Sequence, residues 1–152
     1  MGTNSVYATL QTGLLCIFAL VFFFDDRPPL FPAGMSRTGG SVLCVVGLLL
    51  MFSAFAAIRS AVQIAPEPKR GAQLASTGVY RKLRHPIYTA ILLLAIGLFL
   101  RKPTATIAAT AAAVVVFLVI KVRFEEQLLL ARYPEYAEYR NRTWGLIPGL
   151  RR

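Results

Sequence analysis

Four stretches of this chain, residues 6–24, 41–58, 87–100 and 104–120, contain no Asp, Glu, Lys, Arg or His. Such runs constrain the fold more than anything else in the sequence, because a helix of roughly 17–20 apolar residues crosses the hydrocarbon core of a bilayer. The first, second and fourth runs have that length, and the third reaches it if its helix begins near His85. One run could be a buried helix of a soluble protein, but four in 152 residues are hard to explain that way. Composition agrees: 56% hydrophobic residues and a mean hydropathy of +0.57 suit lipid rather than water as the solvent. The expected fold is an all-α integral membrane protein of about four transmembrane helices in a single membrane domain, with the lipid bilayer as its first partner. The opening residues "MGTNS" have no positive charge and no small-residue cleavage site follows "FFFDDRPP", so the first run is expected to be a retained helix rather than a secretory signal.

The connectors differ in kind. "DDRPPLFPAGMSRTGG" is rich in prolines and glycines that forbid helix continuation, and it reads as a simple link between the first two spans. The connector over residues 61–84 is longer than a helix-helix link needs, and long loops in compact domains are more often functional. The third and fourth runs are separated only by "RKPT", which predicts a tight antiparallel hairpin. At ~1.5 Å of rise per residue the climb from His85 and the return to Glu125 are about equal, so both residues come back to one membrane face. The fourth helix is expected to continue through "KVRFEEQLLLARY" until Pro134 ends or kinks it. Beyond it, the tyrosines, arginines and tryptophan of the tail have the character of an interfacial segment. The chain thus divides into two N-terminal spans over residues 1–60, a cytoplasmic connector over 61–84, and a hairpin with its tail over 85–152 that forms a pocket.

Charge orients this arrangement. Of the 17 Lys and Arg residues, 13 fall on the side of the connector and tail, and only Arg27, Arg37, Arg101 and Lys102 fall on the other. Positive-inside asymmetry then places both termini in the cytoplasm, and a bacterial inner membrane is the expected location. The net charge of +10 is accounted for by flanks that hold helices against anionic headgroups, and the pattern argues against nucleic acid as a partner. Cys16 and Cys44 lie inside apolar runs without a second ligand at metal-binding spacing, so neither a disulfide framework nor a metal site is expected.

Two groups of residues could carry chemistry. Pro86 suits the first turn of a helix, and His85 then stands at its cap beside a positive dipole end, with Tyr88 nearly one turn further in. This could be a plain helix start beneath a basic flank, or a place where an anionic group meets an imidazole. Glu125 and Glu126 could likewise be a solvated face paired with nearby cations. Adjacent helical positions point about 100° apart, so at most one of the two faces the hairpin interior. The sequence lacks a Gly-rich dinucleotide fingerprint and a phosphate loop. No acid lies within the spans, which counts against a proton-coupled exporter.

In order, "LASTGVYRKLRHPIYTAILLLAIG" and "RFEEQLLLARYPEYAEYRNRTWGLIPGL" present Gly-x-Tyr, Arg-His-Pro-x-Tyr, a hydrophobic hairpin, Glu-Glu, and Tyr-x-x-Tyr before a late proline. Over about residues 74–150 this pattern resembles the isoprenylcysteine carboxyl methyltransferase and phospholipid methyltransferase superfamily of membrane enzymes. The resemblance implies S-adenosyl-L-methionine as cofactor, held at the cytoplasmic membrane surface by Gln73, Leu74, Ala75, Tyr80, His85, Pro86, Tyr88 and Glu125. It also implies catalytic roles for His85 and Glu125 and substrate-side roles for Lys121 and Arg123, with Tyr136, Tyr139 and Arg140 packing the tail. The implied reaction is methyl transfer to a carboxyl, amine or thiol of a lipid-like or small apolar substrate. The first 70 residues show no specific match to the part of the eukaryotic enzymes that recognises prenylated protein, which argues against that substrate. Two rivals stand beside this reading: a nicotinamide-dependent sterol or ene reductase of related fold, and a non-enzymatic four-helix scaffold or transporter.

Overall fold

A computed structural model of the chain describes residues 3–32, 34–63 and 77–149. Gln73, Leu74 and Ala75 lie outside these described residues. The described chain forms helices α1 (Thr3–Phe24), α2 (Gly34–Gln63), α3 (Pro86–Arg101), α4 (Ala105–Arg132) and α5 (Tyr136–Arg142), with a 3-10 turn at Gly78–Arg81. This is the expected all-α membrane architecture. Three helices are long and apolar enough to cross a membrane, over Val6–Phe24, Gly34–Arg59 and Ala105–Arg132, and α3 is a shorter apolar helix of 16 residues. At ~1.5 Å per residue α3 rises about 24 Å, somewhat less than a typical hydrocarbon core.

Proline sets several of these boundaries. Pro28, Pro29 and Pro32 hold the stretch between α1 and α2 out of helix, Pro86 opens α3, and α4 stops two residues before Pro134. A ring without an N–H fits the first helical turn, where that donor has no intrahelical acceptor, but removes a hydrogen bond anywhere further in.

The chain packs as two compact units, one of Met1–Val46 and Leu92–Lys121, the other of Gly47–Ile91 and Val122–Arg152. In the first, the α1–α2 loop is tied to the α3–α4 turn. Leu30 donates its backbone N–H to the Pro103 carbonyl at 2.7 Å, and the Thr104 hydroxyl donates to the Asp25 carboxylate. Arg27 reaches Thr106 at 2.7 Å. Phe18, Ile107, Val114 and Leu118 are buried in this unit, while Phe23, Phe24 and Val116 are exposed. Large apolar side chains on the outside of apolar helices are what a lipid solvent requires.

In the second unit the tail returns to the segment that precedes α3. Arg84 donates its backbone N–H to the Trp144 carbonyl at 2.9 Å, and Trp144 donates to the Lys82 carbonyl at 2.8 Å, an isolated parallel bridge centred on Leu83 and Trp144. Gly78 begins the 3-10 turn at φ 56°, a backbone conformation that a side chain with a Cβ disfavours. Together these contacts fix residues 82–84 against the segment that follows α5 and deliver His85 to the start of α3.

Candidate active site

The second unit gathers charged and aromatic side chains around the first turn of α3. Glu126, near the end of α4, is buried, and its Oε1 accepts from Arg84 Nε at 2.8 Å and from His85 Nε2 at 3.3 Å. Its other oxygen lies 3.4 Å from Arg140 Nε. The Arg84 side chain is only 1% exposed. A buried arginine needs acceptors for most of its five N–H groups. Here they include the Glu126 carboxylate and the backbone carbonyls of Arg140 and Thr143, each 2.7 Å from Nη1. Those carbonyls belong to the end of α5 and the residue after it, where intrahelical donors run out. One guanidinium therefore neutralises a carboxylate and closes a seven-residue helix.

A carboxylate can only accept, so the His85 Nε2 contact fixes that nitrogen as an N–H donor and directs any acceptor role to Nδ1. The His85 ring is stacked on Tyr88, with centroids 5.7 Å apart and planes 11° from parallel. Tyr88 donates its hydroxyl to Glu125 Oε1 at 2.7 Å. Adjacent carboxylates thus take different partners: Glu126 holds the buried Arg84, the half-exposed Arg140 and the imidazole, while Glu125, half-buried, takes the tyrosine. One turn into α3, Thr89 donates its hydroxyl to the Leu146 carbonyl at 2.6 Å, fastening the tail beside this cluster.

The tyrosines of α5 complete the surroundings. Tyr139 donates to the Tyr80 carbonyl at 2.7 Å, and burial pushes its phenol up to about 12. Burial raises Tyr80 as well, and it raises Tyr136, to which the nearby Glu126 charge adds. All three stay neutral hydrogen-bonding groups at physiological pH. Tyr136 is 1% exposed, and its hydroxyl has no hydrogen-bond partner among the described residues.

Of the residues singled out in the sequence, the structure brings Tyr80, His85, Pro86, Tyr88 and Glu125 into this one unit. Lys121 belongs to the first unit, where it is buried and donates to the Gln11 side-chain carbonyl; Arg123 is exposed on α4. Sequence reasoning passed over Arg84, which it read as part of a basic flank, and did not choose Glu126 over Glu125. A signal for both was present. The hairpin that returns Glu125 to the level of His85 also returns Glu126 to the level of Arg84, and a buried arginine there requires an acid.

Comparison with known proteins bears on the same region. Over 80 residues the chain is 35% identical to the cobalt-zinc-cadmium resistance protein CzcN of Cupriavidus metallidurans, a stretch that makes up 51% of this chain and 36% of that protein. The chain therefore spans little more than a third of that relative's length. It matches no solved structure. The sequence profile of the family described as phospholipid methyltransferase covers residues 35–136, from the start of α2 to the start of α5, and includes Arg84, His85, Tyr88, Glu125 and Glu126 but not Arg140 or Thr143. That is well over half of the sequence, and the chain belongs to the phospholipid methyltransferase family.

Proposed function

We propose that this membrane methyltransferase uses S-adenosyl-L-methionine to methylate a lipid-like or small apolar substrate at the cytoplasmic face of the bilayer. The observation that carries the proposal is the assembly of His85, Pro86, Tyr88 and Glu125 in one unit at the first turn of α3, braced from behind by the buried Arg84–Glu126 pair. The chemistry of these groups fits the cofactor. A half-buried carboxylate suits ribose hydroxyls or an ammonium group, flat His85 and Tyr88 rings suit a purine, and the N–H groups of a helix start suit a carboxylate. Gln73, Leu74 and Ala75 are proposed to complete the cofactor side, and Lys121 and Arg123 the substrate side.

The cofactor would supply a methyl group activated on a sulfonium. The protein's part is to align the acceptor and exclude water, and alignment alone can lower a barrier by about 7–11 kcal/mol. A carboxylate acceptor carries its lone pair already and needs no base. An amine or thiol must lose a proton, and His85 Nδ1, with Nε2 engaged by Glu126, is the group proposed to take it. An apolar acceptor would reach an interfacial site laterally from the bilayer.

Thermal unfolding of the detergent-solubilised chain with S-adenosylhomocysteine tests the reading. Stabilisation by that compound and none by a reduced nicotinamide nucleotide is expected; the reverse would assign the reductase chemistry instead. Glu125→Gln and His85→Ala should each weaken binding roughly tenfold or more, the scale of a lost charge-assisted hydrogen bond. Arg123→Gln should leave cofactor affinity unchanged. Normal binding by both pocket variants would remove the site assignment while leaving the family intact.

A further inference from the structure

The first unit carries a second polar cluster that the proposed reaction leaves without a role. The end of α1, the start of α2, the end of α3 and the start of α4 surround a cavity of about 310 Å³. Four basic side chains line it: Arg27, Arg37, Arg101 and Lys102. These are all the Lys and Arg residues of the two connectors at that end of the helices. Cations that merely flank membrane spans would be distributed around the bundle, whereas these converge on one space.

Their charge is little compensated. Arg101 donates to the neutral Ser41 hydroxyl and Lys102 to the Phe22 carbonyl. Arg27 has a carboxylate partner, Asp25, at 3.8 Å, while Asp25 itself is held by the Thr104 hydroxyl. Arg37 is exposed and makes no ion pair among the described residues. Asp26 also lines the cavity, so four cations face two acids. Two helix starts and two helix ends meet here, and their dipoles offset, leaving the side chains to set the field. The result is a net positive concavity near the lower end of the roughly 300–1,000 Å³ range of small-ligand sites.

We infer that this cavity binds a phosphate group, with the headgroup of an anionic phospholipid as its source. Arginine forks and a lysine are the side chains suited to phosphate oxygens, and three arginines with one lysine supply them. The loop that contributes Arg27 and Pro29 to the cavity also exposes Leu30 and Phe31, and Met35 is 91% exposed two residues before Arg37. Exposed apolar side chains next in sequence to the cavity's Pro29 and Arg37 fit a ligand with acyl chains better than a free anion.

Titration of the detergent-solubilised chain with short-chain phosphatidylglycerol, phosphatidylcholine and inorganic phosphate, read by thermal shift, tests the inference. Phosphatidylglycerol should stabilise the chain and phosphatidylcholine should not. Arg37→Gln, an exposed change that breaks no hydrogen bond or ion pair seen among the described residues, should weaken the phosphatidylglycerol response roughly tenfold. Arg101→Lys, which keeps charge but loses the fork, should weaken it less. An equal response to inorganic phosphate that Arg37→Gln abolishes would support the phosphate site and make a soluble anion its occupant. An equal loss on replacing Arg132 and Arg142 with Gln, or an unchanged response in Arg37→Gln, would overturn the inference.

Discussion

Removing the Arg84 side chain would leave Glu126 facing only His85 and Arg140, and would free two carbonyls at the end of α5 at the same time. Deleting one partner of a buried pair typically costs about 3–5 kcal/mol, and the half-exposed Arg140 at 3.4 Å offsets only part of the charge left on Glu126. The two tyrosines of α5 separate packing from hydrogen bonding in the same place. Both rings are buried, but Tyr139 donates to the Tyr80 carbonyl while the Tyr136 hydroxyl meets no partner among the described residues. Tyr139→Phe should therefore lower stability by about 0.5–1.5 kcal/mol, the net worth of a hydrogen bond to a half-buried acceptor, whereas Tyr136→Phe should raise it by about 1 kcal/mol. Thermal unfolding of the ligand-free variants in detergent checks the pair, and shifts of the same sign would contradict the hydrogen-bond account. At this scale the sequence showed that a histidine and a carboxylate would meet. Which carboxylate meets it depends on the rotation of α4 about its axis, and packing rather than local sequence sets that rotation. Arg84 was missed for a related reason: a cation beside a membrane helix looks alike from the sequence whether it faces water or a buried acid.

At the scale of the helices, the α2–α3 contact in the first unit turns on two glycines. A Cβ on Gly97 would stand 2.7 Å from the Gly40 carbonyl oxygen and 2.8 Å from Cys44 Sγ, and one on Gly40 would stand 2.5 Å from the Gly97 carbonyl oxygen. Small residues let membrane helices approach until backbones touch, and neither carbonyl can move without separating the helices. Gly97→Ala should cost about 1–3 kcal/mol through overpacking, despite alanine's better helix propensity. Gly39, one residue from Gly40, has nothing within 4 Å of its ideal Cβ, and Gly39→Ala should be neutral or stabilising by up to about 1 kcal/mol. Unfolding midpoints of the two variants measure the difference, and equal effects would mean that the close approach is not what holds the pair. The hairpin itself was legible, since "RKPT" leaves no room for anything but a reversal and proline marks where α3 begins. The close glycine contact was not. Residues 105–116 are rich in alanine and would draw the eye first, whereas a pair of glycines on separate helices identifies itself only when both helices are placed.

For the molecule as a whole, the charge asymmetry makes a claim about direction. Thirteen Lys and Arg residues belong by sequence to the connector and the tail and four to the other two links, and each Lys or Arg near an anionic leaflet contributes about 1 kcal/mol. That difference exceeds thermal energy many times over, so a single orientation is expected, with α5 in the cytoplasm and the α1–α2 loop outside. A variant with Cys16 and Cys44 replaced by alanine, carrying one new cysteine at either Leu30 or Asn141, reads the orientation directly. Both positions are exposed, so labelling reports sidedness and not burial. A membrane-impermeant maleimide applied to intact cells should modify Leu30→Cys and spare Asn141→Cys until the membrane is broken. Labelling of the tail in intact cells would reverse the orientation and move the proposed cofactor site to a compartment without the cytoplasmic cofactor supply.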